Sequence, residues 1–386
     1  MNGIKKTLKN VGWIYAINAA IKARATRAEH AQLVRHYQGM EAHPLAFPYL
    51  GLTTRVPRIF FVGTDEQQDR SGIIQALGSL GDLHVFTRQD GSYGQNDPRP
   101  EAIRRKENAA RLWALISEEA STGWIPDIVI AQTWSTLIDP LVFDQIRARF
   151  ASIVINIGMD DRHQFRGSRI GESWGGTLGL IGHIDLALTA APECVEWYKK
   201  EGCPALYFPE ASDPAIFHPM PELPKRHEVS FVGGCYGIRR DLVMTLRRAG
   251  IQVTAYGSGW EAGRLETEEV PMLFAQSKII LGVGTIGHCS DFYALKMRDF
   301  DAPMSGSLYI THDNPDLHDL FQPGRDIATF SDMEDCVRKV RRYLEDDRMR
   351  EEIAANGRLR ALKEHTWTRR FQNLFTLMGL ESRSQS

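Results

Sequence analysis

Short apolar runs alternate with charged, helix-type segments through most of this chain, and this alternation restricts the fold more than any other feature of the sequence. Strands that are apolar on both faces and separated by helices are typical of parallel sheets with both faces covered. We therefore predict a doubly wound α/β domain over residues 58–208. The runs that predict its strands are RIFFVG (58–63), LHVFTR (83–88), PDIVIAQ (126–132), SIVINIG (152–158), IDLALTA (184–190) and ALYFPE (205–210).

A proline-rich segment interrupts the pattern between residues 209 and 224. It contains five prolines and no apolar periodicity, which is typical of a semi-rigid linker between domains. The alternation then restarts and predicts a second domain over residues 222–365, with a C-terminal helix, 366–386, packing back on the first. Two tandem Rossmann-like domains follow, with ligands expected in a cleft between them, beyond the carboxyl ends of the strands. The strands predicted for the second domain are EVSFVGG (228–234), QVTAYGSG (252–259), KIILGVG (278–284) and GSLYIT (306–311).

Residues 1–57 form a basic, helical extension before the first predicted strand, with eight Lys or Arg against two Glu. Two interpretations stay open: a helix that packs on the body of the protein, or a basic amphipathic segment, residues 1–35, lying on an anionic membrane surface. The apolar run VGWIYAINAAI is too short to span a bilayer. The residues that recur at helical spacing on one predicted face are Ile4, Leu8, Val11, Tyr15 and Ile21.

Charge and cysteine content restrict the class of protein. The formal net charge is -2, so no basic field indicates a nucleic-acid partner. The five cysteines are scattered without a CxxC pair, which suggests neither a disulfide framework nor a zinc site. We expect reduced thiols and a cytoplasmic protein, with contact to the inner face of the membrane as the open alternative.

Glycine-rich loops follow the predicted strands of the second domain. Glycine lets backbone N–H groups approach an anion closely, and the helix after each loop points its positive end towards it. The sequence contains neither GxGxxG nor GxxxxGK[ST], so dinucleotide and P-loop fingerprints are missing. A phosphate-binding surface and ordinary turns between strand and helix both fit this pattern. The glycines are Gly233, Gly234, Gly257, Gly259, Gly282, Gly284 and Gly287.

Cations and acids accompany these loops. Arg239 and Arg240 stand at the predicted start of a helix, where a cation is disfavoured unless an anion is bound; a solvated arginine pair is the alternative. Lys296 and Arg298 lie in a predicted helix that starts near Ser290 or Asp291. An acid at the end of that helix, Asp301, would face the negative end of the helix dipole, so we expect it to have a ligand. Asp299 and Asp301 would point apart on a helix, and no metal site is predicted there.

In the first domain, the strand 152–158 runs into Asp160, Asp161 and His163. Two acids and a histidine at the carboxyl end of a strand could supply a general base, or hydrogen bonds to a polyhydroxylated ligand. A solvated acidic turn is the alternative.

A series of segments, in order over about residues 184–372, resembles one family. They are DLALTAAPECVEWYKKEG, YFPEASDPAIFHP, VSFVGGCYGIRRDLV, AYGSGW, AQSKIIL, KMRDFDAPMSGSLYITHDNPDLHDLFQPG and IAANGRLRALKEHTW. The family is that of the CgeB-like glycosyltransferases of GT-B fold, with a C-terminal domain of the glycosyl transferases group 1 type. The first 180 residues match it only by architecture.

The resemblance implies a nucleotide-sugar donor, a UDP- or GDP-sugar, held by the C-terminal domain, an acceptor held by the N-terminal domain, and no required metal or other cofactor. Related enzymes carry a Glu, seven residues and a second Glu that binds the donor ribose. Asp301 matches the second Glu, Tyr293 stands in place of the first, and Asp291 is the acid nearest to it. Arg239 matches the usual cation after the first strand of the domain.

We therefore predict a metal-independent glycosyltransferase of the hexosyltransferase type (EC 2.4) that moves a sugar to the hydroxyl of a glycan, a lipid-linked glycan, a protein or a small molecule. A nucleotide-sugar epimerase of the same fold and a non-catalytic sugar-nucleotide-binding protein at a membrane are the alternatives. If the reaction inverts the sugar, Asp160, Asp161 or His163 is the base, and Asp301 binds the ribose. The predicted donor-binding residues are Gly233, Gly234, Arg239, Gly257, Ser290, Lys296, Arg298 and Asp301.

Overall fold

The computed structural model describes residues 12–42, 44–52 and 54–380, which form two compact units. One unit, the C-unit, consists of helix α1 (Gly12–Gln38) and Phe217–Lys363. The other, the N-unit, consists of Gly39–Ile216 and the residues from Glu364 onwards. The chain passes into the C-unit between Ile216 and Phe217, inside the proline-rich segment.

The N-unit is built on a parallel sheet of six strands in the order β2-β1-β3-β4-β7-β8. All four residues of β3, IVIA, are buried, as expected of a strand with helices on both faces. The strands are β1 (Arg58–Val62), β2 (Asp82–Val85), β3 (Ile128–Ala131), β4 (Ile153–Gly158), the short antiparallel pair β5 (Arg169–Ile170) and β6 (Ser173–Trp174), β7 (Leu186–Thr189) and β8 (Ala205–Tyr207). The helices are α2 (Glu66–Asp69), α3 (Ile73–Leu80), α4 (Glu101–Ser121), α5 (Leu141–Phe150), α6 (Asp161–Gln164) and α7 (Pro192–Lys200).

The C-unit is built on a parallel sheet of five strands in the order β10-β9-β11-β12-β13. Its strand order reverses between β9 and β11, and ligands of doubly wound folds bind outside the carboxyl ends of the strands at such a point. The strands are β9 (His227–Val232), β10 (Val253–Tyr256), β11 (Ser277–Leu281), β12 (Leu308–His312) and β13 (Ala328–Phe330). The helices are α8 (Ile238–Arg248), α9 (Val270–Ala275), α10 (Arg298–Met304), α11 (Pro315–His318), α12 (Met333–Glu345) and α13 (Asp347–Glu364).

The last helix, α14 (Trp367–Leu377), packs in the N-unit. The Thr366 hydroxyl accepts a hydrogen bond from the Arg369 amide and caps its N-terminus. Trp367 and Phe371 are buried, and a Cβ added at Gly72 would lie 2.6 Å from Trp367 Cδ1. The absence of a side chain at Gly72 therefore lets the indole ring approach the start of α3.

The helix predicted to start near Ser290 begins at Arg298 instead. Residues 284–294 form a hairpin-like loop, in which the Ile286 amide donates to the Phe292 carbonyl at 2.8 Å and the Ala294 amide to the Gly284 carbonyl at 2.9 Å. These cross-loop bonds satisfy the backbone groups that the predicted helix would have used. Asp301 consequently lies in the first turn of α10 rather than at its end.

The N-terminal helix α1 packs in the C-unit through Ala23, Leu33 and Tyr37, which are buried. Ile21, one of the residues predicted on the apolar face, is 61% exposed, so it does not pack on the C-unit. Ile4, Leu8 and Val11 lie outside the described residues. No described helix combines the length and apolar character needed to cross a bilayer.

Candidate functional site

The candidate site lies at the carboxyl edge of the C-unit sheet, where the loops after β9 and β10 run in contact. The Gly233 amide donates to the Tyr256 carbonyl at 2.8 Å, and the Gly257 amide donates to the Gly263 carbonyl at 2.6 Å. A side chain at Gly257 would collide with the Gly233 carbonyl. The Gly233 and Gly257 amides, two of those predicted to bind phosphate, are therefore engaged within the protein. These two glycines matter because they leave space, and not because they donate hydrogen bonds.

Two arginine side chains from different helices meet beside Gly233. Arg239 lies in the first turn of α8, and Arg298 is the first residue of α10. A Cβ added at Gly233 would lie 3.3 Å from Arg298 Nη2 and 3.4 Å from Arg239 Nη1. The Arg298 guanidinium is 5.0 Å from the centre of the Phe231 ring, and the Arg239 guanidinium is 4.2 Å from that of Tyr236.

The two guanidinium groups are only partly satisfied by the protein. Arg239 is 5% exposed, and its Nη1 donates to the Gly234 carbonyl at 3.4 Å. Arg239 Nε and Arg298 Nη1 are buried and have no hydrogen-bond partner among the described residues. Burial, followed by the nearby charge of Arg298, lowers the pKa of Arg239 to about 10, so it stays protonated at pH 7. Two adjacent cations, one buried and one half-buried, each with a buried N–H group left unpaired by the described residues, make a site suited to a polyanion.

Asp301 and Asp299 lie in the same turn of α10 and have different surroundings. The Asp299 carboxylate accepts hydrogen bonds from the Lys296 amide at 2.7 Å and from the Tyr309 hydroxyl, and its burial raises its pKa. Asp299 thus fixes the start of α10. Asp301 is also buried, and the positive end of the helix favours its charge there. Among the described residues, no group of three His, Cys, Asp or Glu could hold a metal ion.

Ser290 is not at the helix start and Lys296 is not within the helix, contrary to the prediction. Ser290 is exposed on the 284–294 loop, and its carbonyl accepts a hydrogen bond from the Tyr293 hydroxyl at 3.2 Å. Lys296 is half-buried, two residues before α10, and its amide is bound by Asp299. Only Lys296 therefore adjoins the helix that carries Arg298 and Asp301.

Of the three candidate bases in the N-unit, Asp161 has no exposed surface. It accepts hydrogen bonds from the Thr177 hydroxyl at 2.8 Å and the Tyr198 hydroxyl at 3.0 Å, and burial raises its pKa to about 6. Asp161 is therefore enclosed within the N-unit and is less suited than Asp160 or His163 to take a proton from an acceptor. Asp160 and His163 are half-buried, with His163 Nε2 3.9 Å from Asp160 Oδ1.

Two residues at the carboxyl edge of the C-unit sheet were not predicted from the sequence. Tyr236 places its half-exposed ring against the Arg239 guanidinium. Asn314 follows β12; its Oδ1 accepts from the Asp316 amide, while its buried Nδ2 has no partner among the described residues. An isolated Tyr or Asn after a strand is too common to be singled out. Only the structure shows that Tyr236 lies against the buried Arg239 and that Asn314 Nδ2 is buried.

Residues 239–376 match the family model described as glycosyl transferase-like. Among solved structures, the chain is similar to the sucrose-phosphate synthase of Thermosynechococcus elongatus, with 12% identity over 83% of this chain and 98% of that one and a TM-score of 0.59. HepE from Anabaena, in complex with UDP-glucose, gives 11% identity over 84% and 100% of the two chains and a TM-score of 0.59. AviGT4, a glycosyltransferase involved in avilamycin A biosynthesis, gives 13% identity over 83% and 97% and a TM-score of 0.51.

No curated protein sequence gives a significant match to the chain. The similarity to the solved structures extends over both units, and its low identity makes it evidence of fold. The predicted fold class is confirmed: the chain has the two-domain, Rossmann-like GT-B fold.

Proposed function

We propose that this protein is a glycosyltransferase that moves a sugar from a nucleoside diphosphate sugar to an acceptor hydroxyl. The convergence of Arg239 and Arg298 beside Gly233 carries the proposal, because a diphosphate supplies two adjacent anionic groups to two adjacent cations. The family match begins at Arg239, and the similar HepE was solved with UDP and with UDP-glucose. A UDP-hexose is the first donor to test.

The proposed chemistry needs stabilisation of the leaving diphosphate. As the bond between the sugar and the phosphate oxygen breaks, negative charge builds on the diphosphate, and fixed cations bind that charge more strongly than they bind the ground state. Each charge-assisted hydrogen bond contributes about 1.5–3 kcal/mol. We assign charge neutralisation to Arg239 and Arg298, with Lys296 nearby, so that no metal ion is required. Asp301 would accept hydrogen bonds from the ribose hydroxyls.

We assign the acceptor to the N-unit, with His163 as general base and Asp160 beside it to favour the protonated imidazole. We further propose that the protein belongs to the CgeB-like subfamily, that it transfers a hexose and that it is cytoplasmic. The match is to glycosyl transferases, which favours neither the epimerase nor the non-catalytic sugar-nucleotide-binding protein.

The test is calorimetric titration of UDP-glucose and GDP-sugars into Arg239→Ala, Arg298→Ala and Arg240→Ala. Arg240 is the matched control, because it is an exposed arginine next to Arg239 in α8. We expect at least a tenfold loss of affinity for the first two variants, which corresponds to about 1.4 kcal/mol, and no change for the third. Equal affinity in all three variants would remove the diphosphate from this site.

We also propose that the outward face of α1 contacts an anionic membrane surface. Ile17 and Ile21 are 51% and 61% exposed and lie one helical turn apart, and the exposed Arg24 follows on the same face. The first 38 residues carry seven Lys or Arg and one Glu. Exposed apolar side chains flanked by cations are the composition that binds the interface of anionic lipids.

A further inference from the structure

The 284–294 loop lies in the connection between β11, which ends at Leu281, and α10, which starts with Arg298 and carries Asp301. Besides its cross-loop hydrogen bonds, Thr285 and Tyr293 form an isolated antiparallel bridge. The loop is therefore closed on itself by backbone hydrogen bonds.

One side of this loop meets the segment before α8. A Cβ added at Gly237 would lie 2.5 Å from the Gly287 carbonyl oxygen, and Gly237 has φ +59, a conformation that glycine adopts at little cost. Gly237 is two residues before Arg239. The loop thus touches the backbone next to Arg239, one cation of the candidate site. It also leads towards α10, which carries the other cation, Arg298.

The other side of the loop contacts α1 on three successive turns of that helix. Cys289 Sγ donates a weak hydrogen bond to the Ala23 carbonyl at 3.7 Å, and both residues are buried. Arg27 forms an ion pair with Asp291. The rings of His30 and Phe292 lie 4.7 Å apart, centre to centre. Residues 23, 27 and 30 are spaced by one helical turn, so one side of α1 follows the loop along its length.

We propose that α1 holds the 284–294 loop in the form that the donor site requires, with Arg27 and His30 as positioning residues. The inference rests on the proposed function, which supplies the ligand of the site. Contacts already made in the free protein order the loop before the donor arrives, and preorganisation of this kind raises affinity because binding no longer has to order the loop. Loss of α1 contacts is therefore expected to weaken donor binding and to expose Cys289.

A charge-swap series tests the ion pair. Arg27→Asp breaks it, and Arg27→Asp combined with Asp291→Arg restores it with the charges exchanged. Arg24→Asp is the matched control, since it makes the same change on the exposed side of α1. The readouts are the alkylation rate of Cys289, followed by peptide mass mapping of the native full-length protein, and the dissociation constant and kcat for a UDP-sugar.

We expect Arg27→Asp to raise the Cys289 alkylation rate several-fold and to weaken UDP-sugar binding two- to fivefold with a smaller effect on kcat. The double variant should restore both quantities, and Arg24→Asp should change neither. His30→Ala should act like Arg27→Asp, and His30→Phe, which keeps a ring against Phe292, should recover the wild-type values.

Identical alkylation in Arg27→Asp and Arg24→Asp would overturn the inference, and so would faster alkylation with unchanged UDP-sugar affinity. If the wild-type protein binds no nucleotide sugar, the proposed function fails and the positioning role fails with it. In that case the alkylation rates still decide whether α1 holds the loop.

Discussion

Gly233 is the residue around which the two cations are arranged, because any side chain there would touch both guanidinium groups. Its amide is already bound to Tyr256, so its contribution to the site is empty space. Arg239 is buried and Arg298 is half-buried, and two like charges held this close together repel one another. A bound diphosphate would offset the repulsion between the two guanidinium groups. Binding should therefore depend more on the space beside Gly233 than on the number of hydrogen-bond donors at the site.

Gly233→Ala should therefore weaken nucleotide-sugar binding while keeping every charge. The methyl group would lie within 3.4 Å of both arginines, and we expect about a tenfold loss of affinity, equivalent to about 1.4 kcal/mol. Gly250→Ala is the matched control, because Gly250 also has a positive φ of +83 but a Cβ there meets nothing within 4 Å. Both variants should lose a few degrees of Tm from backbone strain. Equal affinities by calorimetry would contradict this arrangement.

At the scale of elements, the strands were predictable and the loop before α10 was not. An apolar run such as IVIA reports burial on both faces of a sheet by itself, whereas the pairing of Thr285 with Tyr293 depends on residues eight apart. Because of that pairing, the helix begins at Arg298 and not near Ser290. Because Asp301 then lies in the first turn, the helix dipole favours its charge, which reverses the argument made from the sequence.

The same dependence on contacts between separated residues explains which features of the candidate residues could be predicted. Arg239 was predicted because it follows a glycine-rich loop, and Arg298 because it lies in the same predicted helix as Asp301. The burial of Asp161 was not predicted, because it comes in part from Tyr198, which lies 37 residues later. Burial by residues distant in sequence cannot be inferred from local spacing.

The loop after β1 is held by another buried acid, Asp69, whose titration gives a pH prediction. Its carboxylate accepts hydrogen bonds from the Thr64 amide and the Tyr93 hydroxyl, both at 2.9 Å, and burial raises its pKa to about 7. Because the pKa is higher in the folded chain than in the unfolded chain, the folded state binds the proton more tightly. Stability from this group is present at low pH and is lost as pH rises from about 4 to 7.

Asp69→Asn removes this titration, so its Tm relative to wild type should rise by several degrees between pH 5 and pH 8. Differential scanning calorimetry over that range measures the difference. Asp65→Asn, at the exposed N-cap of α2, is the control and should show no such trend. A difference between Asp69→Asn and wild type that stays constant with pH would show that Asp69 is ionised throughout.

At the scale of the whole molecule, each unit is assembled from two separate parts of the chain. The N-terminal helix belongs to the C-unit, and the C-terminal helix α14 belongs to the N-unit, where Trp367, Phe371 and Leu374 are buried. The charge is equally uneven: the first 38 residues are strongly basic, while the whole chain has a net charge of -2, so the remainder is acidic. A basic helix on an otherwise acidic protein favours one orientation towards an anionic surface.

This orientation can be tested through the two exposed isoleucines of α1. Burial of each side chain in the lipid interface would contribute up to about 1.5–3 kcal/mol, so Ile17→Ser with Ile21→Ser should reduce binding to phosphatidylglycerol vesicles at least tenfold in co-sedimentation. Leu359→Ser with Leu362→Ser is the matched control, since it removes two exposed leucines from another helix of the same unit. Binding of the wild-type protein should weaken at 0.5 M salt and be absent on neutral phosphatidylcholine vesicles, because screening shortens the reach of the lysine and arginine charges to a few ångströms. Equal sedimentation of the two double variants would mean that α1 serves only the C-unit and not a membrane.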